Sequence, residues 1–432
     1  MQVRSPEFSA SADASVLTAL YVDLLSDELA ETATAEATQA GIEAQVEADY
    51  RGLTISLGGY NDRLPQLATM LTSMVRHCPL ERRPFGRRRA ALLSDLTNAL
   101  QRPPHELCAY YRGLALDRPQ FTVEELHAAA SRAQFSDMQA FQRRLLPLAE
   151  LDALVCGNVR EDEARAMARQ LQRAVASAPL PAMDSPHRKV VQLPVGARTR
   201  QHVAPRSRDD DLGALEIYFQ IGQETGGGEW RLLGLLDQLV RQPFYSELRT
   251  RQQLGYIVES GVADSGEGVR GLFFLVQSSA LPPPKLEQKV DAFLKRFRAT
   301  LAAMPDAEFA DAVGARAARV GDADKRLELQ AKRFWSEIAA RRFDFERPWR
   351  ESAAARKLTK RQLLDFFDAR IATGGSLRCR LSTHVFSYTT APRGQLTRDS
   401  LGDATGADIS YFPTPTPSYA YMPTCLPKVH DH

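Results

Sequence analysis

The sequence predicts an α/β (α+β) protein with two similar halves, in which helices pack against paired strands. Three observations support this prediction. Segments with helical periodicity alternate with short strand-like segments along the chain. The same order of segments occurs twice, which indicates an internal duplication. The chain has 432 residues, more than the roughly 250 to 300 at which a single hydrophobic core stops growing.

The first half begins with a long helix and a pair of strands. Apolar residues at helical spacing, from Leu17 to Leu29, predict a helix over about residues 13–38. Gly41 and Gly52 each open an alternating stretch, which predicts two paired strands. The other elements expected in this half are helices at about 63–78, 82–101, 122–132, 136–147 and 161–177 and a buried strand at 153–157.

The second half repeats this order. A strand is predicted at 215–221, where every odd position is apolar. A helical stripe from Leu232 to Val240 follows. Gly255 and Gly271 then open two further strands, as two glycines do in the first half, so a duplicated α/β unit explains the pattern best.

A proline-rich stretch separates the halves. Four prolines lie between residues 179 and 194, a density that neither a helix nor a central strand tolerates. We therefore predict one domain at 1–187 and a second at 188–432. The strand at 215–221 corresponds to residues 1–7, and the segment 190–203 has no counterpart. The first domain is thus expected to lack its opening strands, as a fragment of a longer protein would.

Composition and charge argue against several classes of partner and site. The 55 Lys and Arg residues against 53 Asp and Glu give a net charge of +2, which argues against nucleic acid or an anionic membrane as a partner. The chain has no run of 18 apolar residues and no signal-peptide layout at its start, so a cytoplasmic protein is predicted. Its five cysteines are widely spaced, which favours reduced thiols over a disulfide framework or a thiolate zinc site.

Several common catalytic motifs are absent from the sequence. None of the eight histidines lies in the HExxH or HxxEH spacing that presents two imidazoles to one zinc ion, and His105 is interpreted as a helix-start residue. A GxSxG elbow and a Walker A loop are also absent. Gly266, Gly268 and Gly271 fit GxGxxG but lie between predicted strands, which predicts a hairpin loop. The glycine run at 226–228 is interpreted as a plain loop.

The most informative segment runs from Pro243 to Val258 and reads PFYSELRTRQQLGYIV. It resembles the L-R-T-x-x-Q-L-G-Y-x-V signature of the insulin-degrading enzymes (insulysins), which are pitrilysin-like M16 zinc metalloendopeptidases. The resemblance continues at 52–53, 59–62, 156–158, 271–278 and 334–338 and covers most of the chain before about residue 388. The proline-rich tail after that point resembles nothing in this family.

The resemblance implies a fold for this chain and a zinc site in a different part of the complete enzyme. It implies two homologous M16-type domains, each a mostly antiparallel sheet packed against helices, which together form one bowl of a clamshell. Zinc is implied in the N-terminal bowl, on an HxxEH motif, with none bound by this chain. The chain is then the C-terminal, substrate-enclosing half of a peptide hydrolase that is inactive alone. Its implied partners are the N-terminal HxxEH-bearing half and peptide substrates.

Arg249 and Tyr256 are the candidate catalytic and substrate-binding residues. The resemblance implies that both reach the substrate near the zinc. There they would stabilise the charge that develops on the carbonyl oxygen during hydrolysis. The alternative is that Tyr256 is a strand residue packed on a helix and that Arg249 caps the end of the preceding helix. Gln253, Leu254 and Gly255 are expected to shape the turn that presents Tyr256, since glycine permits unusual backbone angles.

A basic cluster gives a weaker signal. Its members are Arg316, Arg319, Lys325, Arg326, Lys332 and Arg333. The cluster is similar to the basic residues that insulysins carry inside the C-terminal bowl, so a polyanion is a possible partner. Asp322 and Asp324 interrupt the run, and a solvated helix face with ion pairs is the alternative interpretation.

Two functional hypotheses remain open from the sequence. In the first, the chain is the non-zinc half of an insulysin-like metalloendopeptidase whose active site is completed by the HxxEH half. In the second, it is a catalytically inactive M16-derived module that binds peptides or serves as a scaffold. Retention of Arg249 and Tyr256 favours the first hypothesis.

Overall fold

The computed structural model describes residues 1–32, 43–60, 64–175, 178, 186–196, 198–205, 211–223, 228–322, 324–391 and 411–412. The glycine run at 226–228 lies largely outside the described residues, as does most of the proline-rich tail. Helices in chain order are α1 (Ala12–Thr32), α2 (Leu64–His77), α3 (Arg82–Ala99), α4 (Pro104–Leu116), α5 (Val123–Arg132), α6 (Phe135–Arg144), α7 (Glu161–Val175), α8 (Glu229–Tyr245), α9 (Pro283–Ala303), α10 (Asp306–Gly321), α11 (Leu327–Ala339), α12 (Arg347–Ala355) and α13 (Lys360–Arg370).

The strands occur mostly as short segments between these helices. In chain order they are β1 (Gln2–Arg4), β2 (Glu43–Asp49), β3 (Gly52–Gly58), β4 (Asp117–Arg118), β5 (Glu150–Asp152), β6 (Lys189–Val190), β7 (Arg198–Val203), β8 (Gly213–Gln223), β9 (Ile257–Asp264), β10 (Val269–Ser278) and β11 (Arg380–Val385). Within the described ranges, no helix is both long enough and apolar enough to cross a bilayer.

The chain forms two compact units, and each unit includes a segment from the other half of the sequence. Unit 1 consists of Met1–Leu100, Phe121–Arg188 and Asp324–Arg342. Unit 2 consists of Gln101–Gln120, Lys189–Ala323 and Phe343–His432. Helix α4 therefore belongs to unit 2 and helix α11 to unit 1.

Both units contain a sheet of the same strand order. The unit 1 sheet has the order β2-β3-β1-β5, and the unit 2 sheet has the order β9-β10-β8-β11-β7. The pairs are antiparallel except for β7 with β11, which is parallel. The α/β (α+β) class, with mostly antiparallel sheets packed against helices, is therefore confirmed. Among the described strands, β7 is the one member of the unit 2 sheet without a counterpart in unit 1.

Each unit has its own hydrophobic core, and apolar periodicity explains which faces form it. In unit 1, Leu20 and Leu24 of α1 and Leu71 of α2 pack with Leu53 and Ile55 of the sheet. In unit 2, aromatic side chains dominate the centre of the core. They are Phe219, Phe244, Phe274, Phe293, Phe297 and Phe367, and several meet edge to face.

One predicted strand is wrong. Residues 153–157 were expected to form a buried strand, but β5 ends at Asp152 and Leu154 and Val155 are only half-buried. They line an open cavity of about 500 Å³ in unit 1, together with Leu57 of β3 and Met167 of α7. The apolar run therefore reflects a cavity wall, because β5 pairs only with β1 and no described strand continues the sheet beyond it.

A buried ionic network joins α9 to strands β7 and β11 of unit 2. Glu287 is almost fully buried and accepts hydrogen bonds from Arg380 at 2.6 Å and Arg200 at 3.2 Å. His384 lies 3.2 Å from the same carboxylate. Burial opposes ionisation of Glu287, but the contact with His384 and the charges of Arg380 and Arg200 outweigh it and lower its pKa to about 2.

Candidate functional site

The candidate site begins where helix α8 widens into a π-turn. Pro243 lies inside α8 and cannot donate a backbone hydrogen bond. The turn Ser246–Arg251 has π-helical geometry, and the backbone N–H of Gln252 donates to Glu247 O at 3.0 Å, five residues back. This wider turn carries Arg249, and it ends the helix immediately before the segment that contains Tyr256.

Two buried leucines hold the turn to the core. Leu248 and Leu254 both pack in the unit 2 core, and the N–H of Leu254 donates to Leu248 O at 3.0 Å. Gln253 between them has a φ of +53°, a left-handed conformation that is uncommon for a residue with a side chain. The turn that presents Tyr256 was predicted, and the structure confirms that Gln253 and Leu254 shape it.

Gly255 is fixed by its closeness to strand β10. A Cβ atom at this position would lie 1.7 Å from the backbone oxygen of Gln277. The glycine was expected to provide unusual backbone angles, but that role falls to Gln253. Gly255 is instead required because any side chain would collide with the neighbouring strand.

Tyr256 lies one residue before β9 and is exposed to solvent. Its side chain is 83% exposed, which is the highest value among the large hydrophobic residues that the structure describes. The alternative interpretation, that Tyr256 packs on a helix, is therefore wrong. An exposed tyrosine at the end of a rigid turn is available to a ligand.

Arg249 lies beside Tyr256, so the structure brings the two predicted site residues together. The guanidinium carbon of Arg249 is 5.4 Å from the centre of the Tyr256 ring, within the range of a cation–π contact. The Nε atom of Arg249 is buried, and no hydrogen-bond acceptor in the described part of the chain reaches it. A buried donor without a partner is costly, which makes it a candidate for binding an oxygen atom of a ligand.

Glu247, the acidic residue in the same turn, already has hydrogen-bond and ion-pair partners. Glu247 accepts a hydrogen bond from Gln252 at 2.8 Å and pairs with Arg296 at 3.0 Å and Arg251 at 3.4 Å. The hydrogen bond from Gln252 is the main cause of a lowered pKa for Glu247, and the two arginines add to it. No described carboxylate pairs with Arg249, so its positive charge remains available for an anionic or developing-anionic group.

His105, which sequence analysis did not assign to the site, contacts Gln277 of the neighbouring strand β10. His105, at the start of α4, has its Nδ1 atom 2.9 Å from Oε1 of Gln277. Its prediction as a helix-start residue is correct, since α4 begins at Pro104. The contact with Gln277 joins positions 172 residues apart, and no local pattern signals it.

The four residues predicted to bind a polyanion are divided between the two units. Arg316 packs against Gly234 of α8, and burial and the nearby Arg319 lower its pKa. Arg319 donates to Gln238 at 2.7 Å. These two arginines belong to unit 2, whereas Lys325 and Arg326 belong to unit 1 and are exposed. Binding of a polyanion by these residues stays a prediction.

Potential metal ligands do not cluster in the described residues. These residues contain no group of three or more His, Cys, Asp or Glu side chains that could hold a metal ion. The side chains described here therefore do not fit the zinc that the resemblance implies for the complete enzyme.

Comparisons with known proteins agree with this fold. A family model described as the middle or third domain of M16 peptidases matches residues 1–129. A second, described as domain 4 of the C-terminal lobe of a PqqF-like PQQ synthase, matches residues 235–335. The human insulin-degrading enzyme (Homo sapiens) is 29% identical over 372 residues, which cover 85% of this chain and 36% of that enzyme.

Solved structures show the same fold. The crystal structure of pitrilysin superposes with a TM-score of 0.77 at 23% identity and covers 92% of this chain and 41% of that one. The peptidase M16 inactive domain from Pseudomonas fluorescens superposes with a TM-score of 0.65 at 13% identity and covers 92% and 93% of the two chains.

The family models thus match two parts of this chain to M16-type domains, and the solved structures share its fold. Within that class, the chain resembles the C-terminal half of the insulin-degrading enzymes, as the motif around Arg249 and Tyr256 predicted. The chain spans a little over a third of the length of the human relative.

Proposed function

We propose that this chain is the C-terminal, substrate-enclosing half of an insulysin-like zinc metalloendopeptidase that hydrolyses peptides. The observation that carries the proposal is the pairing of an exposed Tyr256 with Arg249 on a turn anchored by buried leucines. A surface tyrosine serves no packing purpose here, and a rigid pair of donors suits a substrate.

The two side chains supply hydrogen-bond donors for a peptide carbonyl. In peptide hydrolysis the carbonyl oxygen gains negative charge as the carbon becomes tetrahedral. The hydroxyl of Tyr256 and the guanidinium of Arg249 would stabilise this charge more in the transition state than in the ground state. Their fixed geometry reduces the reorganisation that the reaction requires.

The metal and the rest of the active site come from a partner in this proposal. The described residues offer no zinc site, so zinc would be bound by an N-terminal half that carries HxxEH. Peptides would be the substrates, enclosed when the two halves associate. A chelator is therefore expected to abolish cleavage by the mixture without changing the thermal unfolding of this chain alone.

The test mixes the purified chain with the N-terminal half of an insulin-degrading enzyme and follows cleavage of a quenched fluorescent peptide. We expect cleavage only in the mixture. Tyr256→Phe removes one donor and should lower kcat by about 10²- to 10³-fold, the effect of losing one oxyanion donor.

Tyr60→Phe is the matched control, because Tyr60 is also highly exposed but belongs to unit 1. We expect this variant to cleave at the wild-type rate. Equal rates for wild type and Tyr256→Phe would refute the role of Tyr256, and association of the halves without any cleavage would refute the enzymatic proposal.

A second candidate function is an inactive M16 module that binds peptides alone. It is favoured by the Pseudomonas fluorescens inactive domain, whose chain matches this one along nearly the full length of both. Peptide binding by the isolated chain, measured by fluorescence anisotropy, together with failure to associate with an HxxEH half, would support this second function.

A further inference from the structure

The side chain of Gln277 is held by the first turn of helix α4. Two donors converge on Oε1 of Gln277: the backbone N–H of His105 at 3.2 Å and Nδ1 of His105 at 2.9 Å. A backbone N–H can only donate, so the accepting atom must be the amide oxygen. Nδ1 of His105 is therefore the donor in this contact, and the hydrogen bond orients the imidazole.

Gln277 in turn holds both neighbours of Tyr256. Its backbone oxygen lies against Gly255, where a Cβ atom would be only 1.7 Å away. Gln277 also pairs with Ile257 in the β9–β10 ladder. Tyr256 is thus the single residue between two positions that lie against the Gln277 backbone, so a shift of this backbone would move the backbone that carries Tyr256.

Helix α4 is itself firmly attached to the unit 2 sheet, so His105 is held in place. Arg112 of α4 donates to the buried Glu216 of β8 at 2.6 Å. Leu107 and Cys108 are buried against Ala214 and Leu275 of β8 and β10. A helix anchored by a buried ion pair and by apolar contacts presents its first turn rigidly.

We infer that His105 is a positioning residue for Tyr256, acting through Gln277. The inference rests on the proposed function, since it assigns a further residue to the same site. His105 does not touch the substrate. It fixes the strand end that determines the position of the donor, and small displacements of such a donor reduce the rate steeply.

The first test is kinetic and uses the mixture of the full chain with an HxxEH half. His105→Ala should lower kcat by about 10-fold or more and leave KM nearly unchanged, because positioning affects the transition state more than substrate binding. His105→Asn should restore most of kcat, since an asparagine amide nitrogen can replace Nδ1 as the donor. His127→Ala, an exposed histidine on α5, is the matched control.

A double-mutant cycle separates positioning from general stability. If His105 acts through Tyr256, His105→Ala should have almost no effect on kcat in a Tyr256→Phe background. An equal loss in both backgrounds would overturn the inference. So would a wild-type kcat for His105→Ala.

A second readout does not depend on activity. A 3-fluorotyrosine placed at position 256 reports its surroundings by ¹⁹F NMR in the isolated chain. His105→Ala should shift or broaden this resonance, His105→Asn should restore it, and His127→Ala should leave it unchanged. An unchanged resonance in a folded His105→Ala chain would overturn the inference, whatever the activity.

The two readouts also distinguish the inference from the proposed function. A resonance that responds to His105→Ala, in a chain that never restores cleavage, would leave the positioning role intact and refute the enzymatic proposal. If His105→Ala does not fold, Gln277→Met removes the acceptor from the other side of the contact. The same shift in the Tyr256 resonance is then expected, and its absence would overturn the inference.

Discussion

At the scale of single residues, Gly255 shows how a site can depend on the absence of a side chain. The contact of Gly255 with the Gln277 carbonyl leaves no room for a methyl group. The neighbouring left-handed residue is Gln253, so the turn needs a glycine for space at one position and tolerates strain at another. Both features act on Tyr256, which is largely exposed and whose ring is contacted by Arg249.

We expect Gly255→Ala to destabilise the chain by about 1 to 3 kcal/mol, because the new methyl group forces the turn away from β10. The free energy of unfolding, measured in urea, gives the change. Gly314→Ala is the control, since nothing lies within 4 Å of a Cβ atom at that helical position. That variant should be neutral or more stable by up to about 1 kcal/mol. A Gly255→Ala chain as stable as wild type would contradict the proposed contact.

The sequence predicted part of this site. Arg249 and Tyr256 were identified through their motif, and the structure places them side by side. His105 and Gln277 were not assigned to the site, because their contact depends on which sheet receives helix α4. Such a contact across 172 residues leaves no trace in local periodicity.

At the scale of secondary-structure elements, the Glu287 network decides how α9 is attached to the sheet. Glu287 lies on α9, whereas its partners Arg200 and Arg380 lie on β7 and β11. Asp291 of α9 also accepts a hydrogen bond from Arg380, at 2.7 Å. Helix α9 and both strands are therefore linked by electrostatics as well as by apolar packing.

The network should make stability depend on pH in the acid range. The pKa of Glu287 is lowered to about 2 in the folded chain, so its stabilising contribution is complete above its unfolded pKa of about 4.3 and is lost as the pH falls toward 2. We expect Glu287→Gln to cost about 3 to 5 kcal/mol at pH 7. The difference from wild type should shrink between about pH 4.5 and 2.

Urea unfolding at pH 7, 5, 3.5 and 2.5 measures this difference. The control is Glu308→Gln, because Glu308 is an exposed carboxylate on α10, and we expect a change within about 0.5 kcal/mol at each pH. A Glu287→Gln difference that stays constant across the series would show that the ionised form of Glu287 is not responsible.

Several elements were predicted from the sequence, and one failure has a clear physical cause. The helix at 82–101 and the strands after Gly52 and Gly271 lie within a few residues of their predicted limits. The strand at 153–157 failed because an apolar run predicts burial but does not say what covers it. Here the run lines a cavity beside an edge strand.

At the scale of the whole molecule, helix α11 joins unit 1 although it lies late in the sequence. Arg4 and Arg51 both donate to the carbonyl oxygen of Ala339, at 3.1 and 2.8 Å. At the other end of the helix, Leu327 contacts Gly157. Two segments of the family resemblance, 156–158 and 334–338, therefore both belong to unit 1. A boundary placed near residue 188 by proline density gives no sign of this exchange.

We expect residues 1–187, produced alone, to be less stable than the same fragment joined through a Gly/Ser linker to residues 324–342. The attached helix restores the hydrogen bonds that Arg4 and Arg51 donate to Ala339 O, and a hydrogen bond from a charged group is worth about 1.5 to 3 kcal/mol. Urea unfolding compares the two fragments. The control carries a Gly/Ser segment of the same length in place of residues 324–342 and should gain nothing. Equal stability with and without the wild-type segment would contradict the assignment of α11 to unit 1.

The exchange of α4 and α11 also constrains how the protein is made. Synthesis on the ribosome proceeds from the N-terminus, so unit 1 cannot be completed until Ala339 has emerged. Helix α4 leaves the ribosome long before β8 and β10, the strands on which it packs. Neither unit can therefore finish folding until later parts of the chain have been synthesised. Their apolar surfaces remain exposed, and accessible to chaperones, during translation.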